Sequence, residues 1–196
     1  MCRLLESIYV CDGKFRNLHV HQARITNSAQ VLFRQPLKWT LESILMKANI
    51  PTSGLFKARL VYDQEFVNVE FIPYQVKPVA SLKLVEADFQ YAHKFVNREL
   101  LDEVFGKREM CDDVIIVQNG FITDATYANL IFKKDNKWFT PTTCLLPGTM
   151  RTYLLMEKKI SEAKIQVDNL NQYESCKLIN ALLGWDAPEI PVTAIR

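Results

Sequence analysis

At 196 residues and 48% hydrophobic content, the chain buries a core without disulfide or metal staples and is long enough for one compact unit or two small lobes. Twenty-four basic against twenty-two acidic residues leave a formal charge of +2, too even for the basic stripe that phosphate-backbone binding requires, so nucleic acid is not an expected partner. The five cysteines, at 2, 11, 111, 144 and 176, form an odd set without C-x-x-C or zinc spacing, which predicts reduced thiols and no metal site. Arg3, Glu6, Asp12 and Lys14 interrupt the apolar N-terminus, and no later apolar run approaches membrane-spanning length. The expectation is a soluble cytoplasmic protein with no membrane partner.

In chain order, 4–10 (LLESIYV) reads as a strand, Asp12-Gly13 as a turn, and 21–34 as a helix. A second helix is predicted over 37–48. Pro51 and Gly54 then break the pattern before 56–63 (FKARLVYD) and 65–74 (EFVNVEFIPY), two β-rich runs that suggest an antiparallel hairpin. Pro73 and Pro78 mark a boundary, giving an N-terminal α+β lobe over 1–80 and a β-rich lobe over 81–196. The second lobe opens with a strand in 81–89 and a helix over 96–109 that Gly106 interrupts. Asn119-Gly120, between apolar runs in 113–140, is the strongest hairpin signal in the chain. A helix is predicted over 149–163, with Tyr153, Leu154, Met156 and Ile160 on its pattern. The fold class is α+β.

Taken singly, few of the polar residues are informative. Lys94 gains meaning from its context, YAHKFVNREL, which can hold an amine partly out of water and so favour the free-amine form that attacks an aldehyde. Asp124, in NGFITDATYANLIF, reads alone as a solvated turn aspartate, yet a carboxylate in that place could keep a ring nitrogen protonated and make the ring an electron sink. In LLPGTMRTY a glycine leads into a helix, so amides and the positive dipole end converge at Thr149 and Met150, a place for an anion. Arg24, in HVHQAR, could add charge-assisted hydrogen bonds to phosphate. Arg59, on a mostly apolar strand, pairs either with a structural carboxylate or with the carboxylate of a substrate.

Read in order, ESIYVCDG, HVHQAR, FKARLVYD, KFVNREL, DDVIIVQNGFITDATYANLIF, WFTP, LLPGTMR and LINALLGWDAPEIPV resemble the class IV aminotransferase family, the fold-type IV pyridoxal-phosphate enzymes. The resemblance spans almost the whole chain. It implies two small α/β lobes with pyridoxal 5'-phosphate between them, a small amino- or carboxylate-bearing substrate, and a homodimer. It further implies that Lys94 forms the Schiff base and moves the proton, that Asp124 faces the pyridine nitrogen in place of the usual glutamate, and that Arg24 binds the phosphate. Thr149 and Met150 fall on the phosphate loop, where many members carry Ile-Thr, and Asn180 and Ala181 fall where a second phosphate contact is made. Arg59 is implied to hold a substrate carboxylate, with Ser7 beside the substrate. Within the family, A-N-L-I-F, N-A-L and H-K-x-x-N-R look most like aminodeoxychorismate lyase, which releases p-aminobenzoate for folate. An aminotransferase acting on a branched-chain or D-amino acid, and a non-catalytic member, remain open alternatives.

Overall fold

The computed structural model describes residues 2–196. It is a mixed α/β structure of two compact units. One extends as far as Val76 and takes in His93–Asn97; the other comprises Lys77–Ala92 and Arg98–Arg196. The sequence places a single boundary near residue 80, whereas the contacts return five residues around Lys94 to the first unit.

In the first unit, β1 (Leu4–Cys11) pairs along its whole length with β3 (Leu55–Tyr62), which pairs in turn with β4 (Val67–Pro73), while the short β2 (Lys14–Phe15) lies on the other side of β1. The β1–β2 connection turns at Asp12 and Gly13 with φ 48° and 75°, the mirror-image turn that Asp-Gly favours. Leu4, Glu6, Ile8 and Val10 of β1 alternate into the buried face. Three of them build an apolar core with Ala58, Leu60 and Tyr62 of β3 and with Ile25 of α1 (Leu18–Phe33). Glu6 is the charged exception, 1% exposed on that face. The predicted second helix shortens to α2 (Leu41–Leu45), held at its start by a Thr40–Ser43 capping box.

The second unit is built on one sheet in the order β10 (Ser161–Ala163), β9 (Lys137–Pro141), β8 (Asn129–Lys134), β7 (Phe121–Ala125), β6 (Asp113–Gln118) and β5 (Leu82–Glu86), with β11 (Ser175–Ile179) beside β8. β5 (Leu82–Glu86) and β6 (Asp113–Gln118) run parallel, with α3 (Glu99–Gly106) in the chain between them. β6 then turns at Asn119-Gly120, φ 53° and 75°, into β7 (Phe121–Ala125). After β8 (Asn129–Lys134) and β9 (Lys137–Pro141) comes α4 (Thr149–Met156), then β10 (Ser161–Ala163), β11 (Ser175–Ile179) and β12 (Ile190–Pro191). The helix predicted over 149–163 stops at Met156, and Lys158 adopts φ 55°. Ile160, expected on the helical pattern, is buried but in a non-helical segment that leads into the edge strand β10.

Period-two alternation along β8 sorts the apolar side chains onto two faces. Leu130 and Phe132 join the larger core with Cys176 and Leu178 of β11, whereas Ile131 joins Met150 and Leu154 of α4 together with Trp138. Asn129, two residues before Ile131, is therefore on the α4 side, as is its cross-strand partner Asp124 of β7. A register shift between Ile115 and Val117 of β6 bulges the strand pairing opposite this end of β7.

Candidate active site

Five of the residues singled out from the sequence lie in the second unit, gathered around the β7–β8 turn. Asp124, 5% exposed, is no solvated turn residue. Its Oδ1 accepts from Asn129 Nδ2 at 2.7 Å, and its Oδ2 accepts from the amides of Leu145 and Leu146 at 2.9 and 3.0 Å. Burial pushes its pKa up to about 6, against the hydrogen bonds and the charge of Arg151, which pull the other way. Among the described residues no cation is bonded to it: its donors, the Asn129 side-chain amide and the Leu145 and Leu146 backbone amides, are all neutral.

The strip that holds Asp124 leads directly into α4. Asn129 Nδ2 also donates to Leu146 O at 2.8 Å, and Gly148 is the N-cap of the helix. Thr149 and Met150 occupy the first turn, whose amides point out of the helix end as in any α-helix. The Met150 side chain goes into the core with Ile131, Trp138 and Leu154, so this residue offers a ligand its backbone only. Arg151, which the sequence reading left without a role, is 5% exposed. It donates to Thr140 Oγ1, Pro141 O and Glu162 Oε1 at 3.2, 3.0 and 2.6 Å, clamping α4 to the end of β9.

Asn180 is brought to the same turn. Its Nδ2 donates to Tyr127 O at 3.3 Å, and its Oδ1 accepts from the amides of Leu182 and Leu183 at 2.8 Å each. The side chain thus braces the 180–183 turn on which Ala181 sits. Thr126, two residues past Asp124, donates to Asp113 Oδ1 at 2.9 Å and accepts from Arg98 through its carbonyl at 2.9 Å.

The other four predicted residues belong to the first unit. Lys94 is half-buried, and its backbone is fixed on both sides. Leu5 N donates to Lys94 O at 2.8 Å, Val96 N donates to Arg3 O at 2.9 Å, and Phe95 bridges to Leu4 and packs on the apolar core. The His93 ring lies 3.1 Å from Ser28 Oγ of α1. The Lys94 charge is one of the groups that hold down the pKa of His21, behind burial. Arg24 donates to Glu6 Oε1 through Nε at 2.8 Å and to Oε2 through Nη2 at 2.5 Å, and His21 Nδ1 donates to Oε2 at 2.6 Å. Burial alone would raise the Glu6 pKa, yet Arg24 and His21 bring it down to about 2. Glu6 was missed in sequence, although a charge at an alternately buried position of β1 is the signal that could have found it.

Ser7 and Arg59 are cross-strand neighbours on the face of the first sheet opposite Glu6. Arg59 donates to Glu70 Oε1 at 2.7 Å, so it meets a carboxylate of its own sheet.

The second unit suits pyridoxal phosphate. A buried carboxylate without a bonded cation would accept a protonated ring nitrogen, and a helix N-terminus joined to it through Asn129 and Leu146 would accept phosphate. The chain belongs to the class IV aminotransferase family, a family of pyridoxal-phosphate enzymes: the family described as amino-transferase class IV matches residues 70–195. A Haemophilus somnus structure titled a "putative 4-amino-4-deoxychorismate lyase" is 34% identical with a TM-score of 0.88, the match covering 94% of this chain and 98% of that one. A Schizosaccharomyces pombe protein called a "putative aminodeoxychorismate lyase" is 29% identical, over 87% of this chain and 82% of its own length. The branched-chain amino acid aminotransferase of Escherichia coli, 17% identical with a TM-score of 0.76 over 99% of this chain and 76% of its own, shares the fold. Among the described residues, no helix is long and apolar enough to cross a membrane, and no group of metal-ligating side chains occurs.

Proposed function

We propose that this chain binds pyridoxal 5'-phosphate through Lys94 and eliminates pyruvate from 4-amino-4-deoxychorismate, yielding p-aminobenzoate for folate synthesis in the cytoplasm. The observation that carries the reading is Asp124: an enclosed carboxylate with its pKa pushed up to about 6, bonded to neutral donors alone and tied to the start of α4. The choice of lyase over transaminase is supported by the names of the Haemophilus somnus and Schizosaccharomyces pombe relatives, which match most of the length of both chains.

Pyridoxal phosphate, when bound, supplies an aldehyde for an amine and a ring that draws electron density from the neighbouring carbon. Lys94 would hold the cofactor and, with its amine free, would take the proton from the ring carbon that bears the substrate amine. The ether bond to the enolpyruvyl group breaks, the substrate ring becomes aromatic, and the Lys94 ammonium returns the proton to the departing group, which leaves as pyruvate. Asp124 would keep the nitrogen of the bound cofactor protonated. Arg24 and the amides of Thr149 and Met150 would bind its phosphate, with the turn at Asn180 and Ala181 contributing through its backbone. Arg59, beside Ser7, holds a substrate carboxylate that competes with Glu70 for the guanidinium. The working form is a homodimer, which light scattering would test.

Borohydride treatment of protein incubated with the cofactor, followed by peptide mass analysis, is expected to place a pyridoxyl group on Lys94. The same protein is expected to release p-aminobenzoate and pyruvate in equal amounts from aminodeoxychorismate. Keto-acid turnover from an amino-acid donor and 2-oxoglutarate, without the aromatic amine, would replace the lyase with an aminotransferase. Absence of any adduct at Lys94 would sink both.

A further inference from the structure

We infer that Asn129 is a positioning residue: its side-chain amide sets the Asp124 carboxylate and the loop that begins α4 in one fixed arrangement. The inference deepens the functional reading, on which it rests for the meaning of Asp124.

Both N–H groups of the Asn129 amide are spent on this arrangement, one on Asp124 Oδ1 at 2.7 Å and the other on Leu146 O at 2.8 Å. Leu146 is gripped from its other side as well, since its own amide donates to Asp124 Oδ2 at 3.0 Å. Asp124, Asn129 and Leu146 thus close a ring of three hydrogen bonds, with Asn129 itself 5% exposed. The fourth atom of the amide explains the glycine that follows. A Cβ at position 148 would run into Asn129 Oδ1, although φ −67° and ψ 146° suit any residue. Gly148 is therefore demanded by the close approach of Asn129 and not by its own backbone. Arg151 on α4 is the charged group that acts on Asp124, and it is already held by Thr140, Pro141 and Glu162, while Cys144 on the loop before α4 feels the Asp124 charge, which with burial raises its pKa. One amide consequently links the two ends of the second unit's share of the cofactor site: the carboxylate for the ring nitrogen and the helix start for the phosphate.

The test follows Asp124 in the full-length, cofactor-free protein labelled with 13C-carboxyl aspartate, its signal assigned by loss in Asp124→Asn. Asn129→Ala is expected to raise the titration midpoint of Asp124 by about one unit or more, because a donor to the charged form is gone. Gly148→Ala, which displaces Asn129, is expected to raise it in the same direction. The double variant is expected to shift no further than Asn129→Ala alone, since removing the amide makes room for the new methyl. An amide with a merely structural role would lower stability in these variants without moving the midpoint or producing this non-additivity. An unmoved midpoint, or additive shifts, overturns the inference; should Asn129→Ala fail to fold, Gly148→Ala decides alone. Titration with pyridoxal phosphate separates the two readings, with binding by the variants expected to weaken about tenfold or more. A wild-type protein that ignores the cofactor while the midpoints move as expected sinks the functional reading and leaves the hold of Asn129 on Asp124 intact. Normal wild-type binding with unmoved midpoints does the reverse.

Discussion

Arg24 grips Glu6 through two nitrogens, at 2.8 and 2.5 Å, on the buried face of the first sheet, and His21 adds a third bond to the same carboxylate at 2.6 Å. A charge left there without its partner is costly. Glu6→Gln is expected to lower unfolding stability by about 3–5 kcal/mol, the usual loss when one member of a buried pair is removed. The folded pKa of about 2 lies below the ordinary glutamate value of 4.5, so the carboxylate stabilises the fold above pH 4.5 and that contribution disappears as pH falls toward 2. His21, its pKa also depressed, adds a loss that begins as pH drops below the ordinary histidine value of 6.5. Urea unfolding from pH 7 to pH 3 should show the wild type losing stability through this window and Glu6→Gln losing less of it below pH 4.5.

Asp124 has the opposite sign. Its folded pKa of about 6 is above the ordinary aspartate value of 3.8, so its contribution is fully present below pH 3.8 and is lost as pH rises through 6. Between those values the stability of cofactor-free wild type relative to Asp124→Asn should rise on acidification, by at most about 1.4 kcal/mol per pH unit. Denaturant curves at pH 7.5, 6 and 5 check this, and a flat difference would mean that the carboxylate is not buried as described.

Arg59 is half-exposed and bonded to Glu70, so its removal should cost the fold no more than about 1 kcal/mol. Arg59→Met is expected to raise KM for a carboxylate substrate at least about tenfold with a smaller change in kcat, the pattern of lost ground-state binding. Glu70→Gln removes the competing carboxylate and should lower KM. Steady-state kinetics on the two variants, moving in opposite directions, would support the assignment of Arg59, and parallel movement would refute it.

Lys177 of β11 is 9% exposed, with Nζ 4.8 Å from the centre of the Trp138 ring and 5.4 Å from that of Trp185, and it donates to Trp185 O at 3.1 Å. Lys177→Met keeps the apolar stem and removes the cation, for an expected loss of about 1–2 kcal/mol. Amide hydrogen exchange over 181–187 should quicken in the variant, because Trp185 ties that loop to β11. Unchanged exchange would show that the lysine does not hold the loop.

Much of this molecule was legible in its sequence because the signals were local. Alternation along β1, the Asp12-Gly13 and Asn119-Gly120 turns, and the ordered motifs around Lys94, Asp124 and Gly148 each depend on residues a few positions apart, and they sufficed for the strands and the family. Periodicity failed where a neighbour from elsewhere decided the outcome. The pattern over 149–163 is helical as far as Met156, but the edge of β9 takes Ser161–Ala163 as a strand. The side-chain partners were likewise out of reach. Glu6 meets Arg24 only because α1 folds back over β1, and Asn129 meets Leu146 only because seventeen residues of chain return to the β7–β8 turn. The physical reason is the same in each case. Backbone period and turn geometry are properties of a short segment, whereas the company a buried polar group keeps is set by which distant segments close over it.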